Sequence, residues 1–430
     1  MEILDISTSA GNGVATVRAR VQPRGAAESF ELWYNFEGLD KPLDGVNEAV
    51  AAALVVPCMA EGEPLSMPGR VSPIFLANVA KAQRLLTGWY DDLHPVRVRC
   101  PAHDGVARHR PQGVICCFSA GVDSWYSLLK HERRVTHLLF VRGFDIGLDN
   151  DVLWRTARSN AEAVATQLGK RLVTCETNLR DVADKSRGQW GKTFTGDFWG
   201  ERLHGAAIAS VALMLRRMIG ELILPATHTY TQLLPWGTSP LLDPLWSDGY
   251  VKITHDGCEK DRVAKVRSLA ASDIALATLR VCYVNTPEIN CGRCEKCLRT
   301  VMTLKLCRAL ERAKTFPRPV PLAELRGMII PSHLRHHYVA LREEARRIGD
   351  MEMLATTEIL LGERRSAVQA SARLRRAMRG TVFGQVLRTV KQAWRTATVS
   401  PINAHRYGGP GGATDSDWKA RRSSVADHKG

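Results

Sequence analysis

The sequence predicts an α/β fold with a doubly wound parallel sheet, and three observations predict it. Between residues 111 and 310, short runs rich in β-branched residues alternate with longer stretches of helical periodicity. These runs are apolar along most of their length, as in strands that helices cover on both faces. The same segment holds a small-residue loop after its first predicted strand and four closely spaced cysteines.

The predicted elements of this segment alternate between strand and helix. Its predicted strands are residues 114–118, 138–142, 171–176, 221–225 and 250–254. The predicted helices are residues 124–131, 152–168, 205–218 and 259–270. Because parallel strands end at one edge of the sheet, residues that follow these strands are expected to meet there.

Different patterns flank this segment on either side. Residues 1–110 are predicted to form an N-terminal α+β domain, because two stretches alternate as half-buried strands and a third has helical periodicity. These are residues 14–21, 30–36 and 71–89. Residues 311–400 are predicted to be a helical basic region, with helices at residues 332–347, 351–361, 368–379 and 381–398. Gly, Ser and Pro dominate residues 401–430, which predicts a disordered tail.

The net charge of the chain is +15, and most of it lies near the C-terminus. Residues 363–430 hold fourteen Lys and Arg against four acidic residues. Such a basic region can bind a nucleic acid, a protein substrate or an anionic membrane, and it can equally be a solvated tail. No apolar run is long enough to span a bilayer, and no signal peptide is visible. We therefore expect a cytoplasmic protein without a transmembrane segment.

The loop of residues 119–124, Ser-Ala-Gly-Val-Asp-Ser, is the first candidate site. A strand that leads through small residues into a helix points backbone N–H groups and the helix dipole at one place, which suits phosphate. Gly121 allows a close approach, and Ser119 and Ser124 add hydroxyl donors. Asp123 is expected to act through a Mg²⁺ that bridges phosphate oxygens. A plain helix cap without a ligand is the alternative.

Four of the eleven cysteines form the second candidate site, Cys282, Cys291, Cys294 and Cys297. In a reducing compartment, clustered thiols indicate metal or redox chemistry rather than disulfides. Four thiolates at these spacings satisfy a tetrahedral Zn²⁺, and they predict a structural zinc knuckle over residues 282–297. An iron–sulfur cluster is the alternative.

Together these two motifs resemble those of the PP-loop ATP pyrophosphatases. The segment FSAGVDS resembles their SGGxDS signature, and CY-x7-CGRCEKCLRT resembles the zinc knuckle of the 7-cyano-7-deazaguanine synthase family. The resemblance covers residues 113–307 and implies an adenine nucleotide alpha hydrolase-like fold of Rossmann type. It also implies that ATP is cleaved between its α and β phosphates. The residues it implies for ATP binding are Ser119, Ala120, Gly121, Val122, Asp123 and Ser124.

Ala120 replaces the first glycine of the signature. A methyl group at this point is expected to be tolerated only where the local φ is negative.

Polar residues after two other predicted strands complete the candidate set. Thr227 and His228 follow one strand and are expected to reach the nucleotide or the substrate. Lys260 and Arg262 open the helix after another strand and are expected to neutralise phosphates. An ordinary loop or a solvated helix face is the alternative for each of these residues. The predicted catalytic residues are Asp123, Ser119, Lys260 and Arg262.

The resulting prediction is an ATP-dependent synthetase or ligase that forms a C–N bond. A carboxylate or amide oxygen of the substrate is adenylated with release of pyrophosphate, and ammonia or an amine then displaces AMP. The resemblance implies a 7-deazapurine carboxylate as the small-molecule substrate, used with ATP, Mg²⁺ and Zn²⁺. Two alternatives stay open: modification of tRNA or another nucleic acid, including thiolation, and a non-catalytic scaffold that retains the ATP loop.

Overall fold

The computed structural model describes residues 1–101, 111–183, 197–284, 286–317, 330–331 and 334–362. Ten strands of the described chain form a single sheet. In chain order they are β1 (Glu2–Gly11), β2 (Val14–Gln22), β3 (Phe30–Glu37), β4 (Leu65–Ser66), β5 (Val98–Arg99), β6 (Gly113–Cys117), β7 (His137–Arg142), β8 (Arg171–Thr177), β9 (Ile219–Pro225) and β10 (Lys252–Asp256). The α-helices of the described residues are α1 (Val46–Glu61), α2 (Pro73–Trp89), α3 (Val122–Lys130), α4 (Asp151–Gln167), α5 (His204–Leu213), α6 (Arg262–Leu269), α7 (Asp273–Thr278), α8 (Glu295–Leu306), α9 (Arg335–Ile348) and α10 (Met351–Leu361).

The strand order of the sheet is β10-β9-β6-β7-β8-β3-β2-β1-β4-β5, and the sheet is mixed. The strands from β10 to β8 are all parallel, which confirms the α/β class that the alternation of strands and helices predicts. β8, β3, β2 and β1 pair antiparallel, and β4 and β5 add two short parallel pairs at the far edge. The parallel sheet predicted for residues 111–310 is therefore one part of a larger mixed sheet, whose other strands come from residues 1–110.

A tight hairpin explains the antiparallel half. Asn12 and Gly13 join β1 to β2 with φ values of 54° and 76°, as a type I′ turn requires. β3 then extends the sheet at β8, where Tyr34 lies opposite Thr177. The N-terminal strands thus continue the sheet of the α/β segment, and the domain limits at residues 110 and 310 stay a prediction.

Side chains of the central strands alternate between two hydrophobic cores, one on each face of the sheet. In β7, Leu139 and Val141 enter one core, whereas Leu138 and Phe140 enter the other. Helices α1, α2 and α5 cover the first face, and α3, α4, α6, α7 and α8 contribute to the core on the second. This burial on both faces is the physical reason that the strands are apolar runs in the sequence.

Most of the predicted elements are confirmed within a few residues, and three described helices, α1, α7 and α8, are not predicted from the sequence. Buried side chains of α1 lie on nearly every side of the helix, so it lacks the amphipathic period that marks a surface helix. α8 begins within the cysteine cluster, with Cys294 as its cap, where the ligand spacing dominates the pattern.

The C-terminal helices α9 and α10 are confirmed as predicted at residues 332–347 and 351–361. They pack on α6 and α8 in a third core, which includes Tyr338 and Leu341. The helices predicted at residues 368–379 and 381–398 and the tail predicted at residues 401–430 lie outside the described residues. Within the described part of the chain, no helix combines the length and the apolar character needed to cross a membrane.

Candidate functional site

The loop of residues 119–124 lies at the carboxyl end of β6 and leads into α3. The Phe118 N–H donates to the Leu139 carbonyl at 2.8 Å and so ties the start of the loop to β7. Gly121 precedes α3 and no side chain caps this helix, so the first N–H groups of the helix have no intrahelical acceptor. The Ser124 hydroxyl, predicted to face a phosphate, donates instead to the Gly121 carbonyl at 3.0 Å. The opening for an anion is therefore formed by the backbone.

Ala120 has a left-handed backbone conformation, with a φ of +58°. The condition of a negative φ, under which its methyl group was expected to be tolerated, is not met. For a residue with a Cβ this conformation costs about 1–2 kcal/mol, and the Arg280 N–H stabilises it by donating to the Ala120 carbonyl at 2.9 Å. Beside it, Val122 is fully buried and Ser119 is half-buried. Backbone strain of this kind is common where loops bind ligands.

Asp123 is bound by two cations of α6. Arg262 Nη1 donates to Asp123 Oδ2 at 2.9 Å, and Lys265 Nζ donates to Oδ1 at 3.0 Å. Burial raises the pKa of Asp123, but the charges of Lys265 and Arg262 outweigh this effect and lower the pKa to about 2. Lys265 is 1% exposed and also donates to the Ala226 carbonyl, just after β9. Both carboxylate oxygens are thus engaged by protein cations, whereas the sequence predicts Mg²⁺ as their partner.

The other predicted residues lie at the same edge of the sheet and differ in how exposed they are to solvent. Arg262 is buried, whereas Lys260 is exposed on the preceding turn and has no side-chain bond among the described residues. Thr227 is exposed as well. His228 is half-buried beside His336, and its Nδ1 has no hydrogen-bond partner. Burial and the charge of His336 lower the pKa of His228. The structure therefore brings Arg262 and His228 towards the loop and leaves Lys260 and Thr227 on the surface.

Asp145, His204 and Lys296 belong to the cleft beside the loop and are not predicted from the sequence. Asp145 is exposed, and His204 and Lys296 are half-buried. The surroundings raise the pKa of Asp145, but the charges of His204, Arg280 and Lys296 outweigh this effect and lower it. Asp145 forms no hydrogen bond or ion pair with any described residue. Its position just after β7, at the carboxyl edge of the sheet, is the signal that would have identified it.

Positive charge exceeds negative charge around this cleft. The cations are Arg262, Lys265, Arg280, Lys296 and Arg299, and the acids are Asp123, Asp145 and Glu295. Glu295 is already engaged, because it accepts a hydrogen bond from Tyr338 Oη at 2.9 Å and lies 2.9 Å from Arg299 Nε. The Nε and Nη1 atoms of Arg299 are buried without a well-aimed acceptor. A site with this balance favours an anionic ligand.

The four cysteines of the knuckle converge at one point. Their sulfur atoms all lie within 4.8 Å of one another, with 3.9 Å between Cys282 and Cys294 and 4.0 Å between Cys291 and Cys297. A tetrahedral metal with bonds of about 2.3 Å to sulfur requires separations of about 3.8 Å, so the donor set fits such an ion. Hydrogen bonds among the four thiols lower the pKa of Cys291 and raise the pKa of Cys294 and Cys297, and a bound metal would replace the protons that these thiols share.

Buried polar contacts hold the chain around the cysteines. The Asn290 side chain accepts from the backbone N–H groups of Val281 and Cys282 and donates to the Leu279 carbonyl, at 2.8–3.2 Å. Gly292 has a φ of +68°, and a Cβ there would lie 2.4 Å from Pro317 Cγ. Any larger residue at this glycine would therefore push the knuckle apart.

The knuckle is joined to the cleft on both sides. Cys294 precedes α8, whose first two turns carry Lys296 and Arg299 next to the loop. Cys282 follows Arg280 by two residues, and Arg280 is bonded to Ala120. A metal bound by the cysteines would thus fix both the cations of the cleft and the strained part of the loop.

A buried ion pair lies near the carboxyl end of β10. His255 Nδ1 is 2.6 Å from Asp243 Oδ2, and the two side chains are 3% and 0% exposed. Burial lowers the pKa of His255, but hydrogen bonds to Asp243 and Cys258 outweigh this effect and raise the pKa to about 9. The imidazolium is therefore the form of His255 present at neutral pH.

Comparisons of the chain with protein-family models, with curated proteins and with solved structures gave no match.

Replacing a knuckle cysteine is expected to remove a bound metal. Cys297→Ser leaves three thiolates for a four-coordinate ion, and we expect the metal content to fall from about one per chain to near zero. Because such sites contribute to folding, the free energy of unfolding is expected to fall by several kcal/mol. Elemental analysis and thermal unfolding measure both effects. Cys100→Ser, which changes a half-buried thiol outside the cluster, is the control, and full metal retention in Cys297→Ser would contradict the prediction.

Replacing Ala120 by glycine is expected to stabilise the protein. Ala120→Gly removes the Cβ that opposes a φ of +58°, and the relief exceeds the backbone entropy that glycine costs, for a gain of about 0.5–1 kcal/mol. Urea unfolding measures the change. Ala157→Gly in α4 is the control, because in a helix the same substitution is expected to lose about 1 kcal/mol. Equal losses in the two variants would show that residue 120 is unstrained.

His255 is expected to titrate near pH 9 in the folded chain. The folded pKa lies above the unfolded value of about 6.5, so its stabilising contribution is complete below about pH 6.5 and is lost as the pH rises through 9. An NMR titration of the histidine ring protons measures the midpoint. Asp243→Asn is expected to bring the midpoint below 7, because burial then acts without the carboxylate. A wild-type midpoint near 6.5 would contradict the ion pair.

Proposed function

We propose that this protein is an ATP-dependent synthetase that resembles the PP-loop ATP pyrophosphatases of the 7-cyano-7-deazaguanine synthase type. In this proposal the chain binds ATP at the loop of residues 119–124 and adenylates a substrate oxygen, with release of pyrophosphate. The observation that carries the proposal is the combination of an uncapped helix N-terminus with an excess of buried positive charge beside it. Each feature attracts anions, and together they suit a polyphosphate.

Each element of the cleft has a distinct role in the proposed reaction. The N–H groups at the start of α3 and the Arg262 guanidinium bind the β and γ phosphates, where negative charge develops as pyrophosphate departs. Lys265 holds Asp123 and, through it, keeps Arg262 in place. Lys296 and Arg299 add positive charge from the end of α8 that lies beside the cysteines.

The proposed chemistry takes place in two steps. A carboxylate or amide oxygen of the substrate attacks the α phosphorus, and the bond between that phosphorus and the bridging oxygen of pyrophosphate breaks. Ammonia or an amine then attacks the activated carbon, and AMP leaves with the electron pair of the C–O bond while the nitrogen loses a proton. A 7-deazapurine carboxylate is the substrate that the resemblance favours.

Two metals belong to the proposal. Mg²⁺ would neutralise phosphate oxygens. Asp145 suits this ion as a ligand better than Asp123 does. The Asp145 carboxylate is unpaired, whereas the Asp123 carboxylate is engaged by two cations. Zn²⁺ would be bound by the four cysteines, since the set offers four sulfur donors with tetrahedral separations and no open coordination position. It would act as a structural ion beside the cleft.

ATP binding and pyrophosphate release test this function. Calorimetry with ATP and Mg²⁺ is expected to show binding by the wild type and a loss of about tenfold or more in Arg262→Met, because a charge-assisted contact to phosphate is removed. Pyrophosphate release is then measured with a 7-deazapurine carboxylate and ammonia. Arg267→Met, on the outer face of the same helix, is the control. A wild type that binds no ATP would exclude the proposed enzyme and favour a scaffold.

A further inference from the structure

Arg280 is a buried arginine without a partner. It is 6% exposed, and its Nε has no hydrogen-bond acceptor. No side-chain hydrogen bond and no ion pair within 4 Å joins its guanidinium to any described residue. Asp145 is the carboxylate whose charge acts on it through space, at a longer distance. Other buried arginines of the chain differ, since Arg202, 3% exposed, binds both oxygens of Asp92 at 3.0 Å.

An unpaired buried guanidinium is costly and cannot escape the cost by losing its proton. Burial lowers the pKa of Arg280, but an arginine side chain stays protonated in proteins. Removing a charge from water without a counter-ion is among the most unfavourable arrangements in a protein interior. The charges of Asp145 and Cys282 offset part of this cost from a distance, and an anion bound next to the guanidinium would offset more of it.

The position of Arg280 indicates which anion this is. Arg280 lines a narrow crevice whose wall also includes Ser119 and Ala120 of the loop, and its own N–H donates to the Ala120 carbonyl at 2.9 Å. Phe118 and Phe140 supply an apolar part of the same wall. This is the opposite end of the loop from Asp123 and its cations.

We propose that Arg280 binds the α phosphate of the nucleotide, the phosphate that remains on AMP after pyrophosphate has left. The inference rests on the proposed function, in which the cations around Asp123 bind the departing pyrophosphate. A guanidinium presents two parallel N–H groups to one phosphate and is therefore suited to hold it. Arg280 would then hold the adenylated substrate through its phosphate between the two steps of the reaction.

Separate binding of AMP and of inorganic pyrophosphate tests the assignment. In Arg280→Met the AMP affinity, measured by calorimetry, is expected to fall about 10- to 100-fold, while the pyrophosphate affinity stays near that of the wild type. Arg262→Met is expected to show the reverse pattern. Arg202→Met, which removes a buried arginine that already has a partner, is the control and is expected to leave both affinities unchanged. Arg280→Met binding AMP as tightly as the wild type would overturn the inference.

Stability without ligand gives a second readout. Replacing Arg280 removes a buried charge and breaks no ion pair, so Arg280→Met is expected to melt at or above the wild-type temperature. Arg202→Met leaves Asp92 without its partner and is expected to melt below the wild-type temperature. AMP is expected to raise the melting temperature of the wild type but not of Arg280→Met. If Arg280→Met melts as low as Arg202→Met, the guanidinium has a structural partner and the inference fails.

A second variant and a second ligand complete the test. If Arg280→Met does not fold, Arg280→Lys is the variant to test, because lysine keeps the charge but lacks the two parallel N–H groups. We expect Arg280→Lys to lose part of the AMP affinity. An unchanged AMP affinity would overturn the inference. A carboxylate of the substrate is the other oxyanion of this reaction that a guanidinium can bind with two parallel N–H groups. Loss of affinity for a 7-deazapurine carboxylate in Arg280→Met, with AMP binding retained, would refute the α-phosphate assignment. A wild type that binds neither AMP nor pyrophosphate would refute the proposed function itself.

Discussion

The paired contacts of Asp123 with Arg262 and Lys265 are the interaction on which the candidate site depends. One carboxylate at the start of α3 holds two cations of α6, and Lys265 extends the contact to the Ala226 carbonyl beyond β9. Loss of this carboxylate would leave two buried positive charges without a counter-ion, which is a larger penalty than the loss of the contacts alone. The low pKa of Asp123 keeps it ionised over the whole physiological range.

The cysteine knuckle constrains the same site from the other side. It fixes the start of α8, which carries Lys296 and Arg299, and it lies two residues from Arg280, whose N–H is bonded to the loop. Without a metal, four converging thiols would contribute little to hold these segments, because their mutual hydrogen bonds are weak. A metal bound by the cysteines would therefore stabilise the arrangement of the cleft, although the cysteines and the loop are far apart in the sequence.

Unfavourable features are concentrated beside the loop. Ala120 has a left-handed conformation, Arg280 is buried without a partner, and the Nη1 atom of Arg299 is buried without an acceptor. Each of these features lowers the stability of the folded chain, and a simple substitution would remove it. In the function that we propose, an oxyanion bound between Arg280 and the start of α3 would offset the buried charge and fit the strained backbone.

The sequence by itself determined the features that are local in the chain. Helical and strand periods predicted most of the elements of the parallel half, and the spacing of Cys282, Cys291, Cys294 and Cys297 predicted a site whose sulfur atoms do converge. Only the tertiary structure decided how distant residues meet. It made the N-terminal strands an extension of the sheet at β8, since pairing between strands distant in the sequence leaves no local signal. It also gave Asp123 two cations as partners and left Arg280 with none, because ion pairs depend on where helices pack and not on the residues beside them.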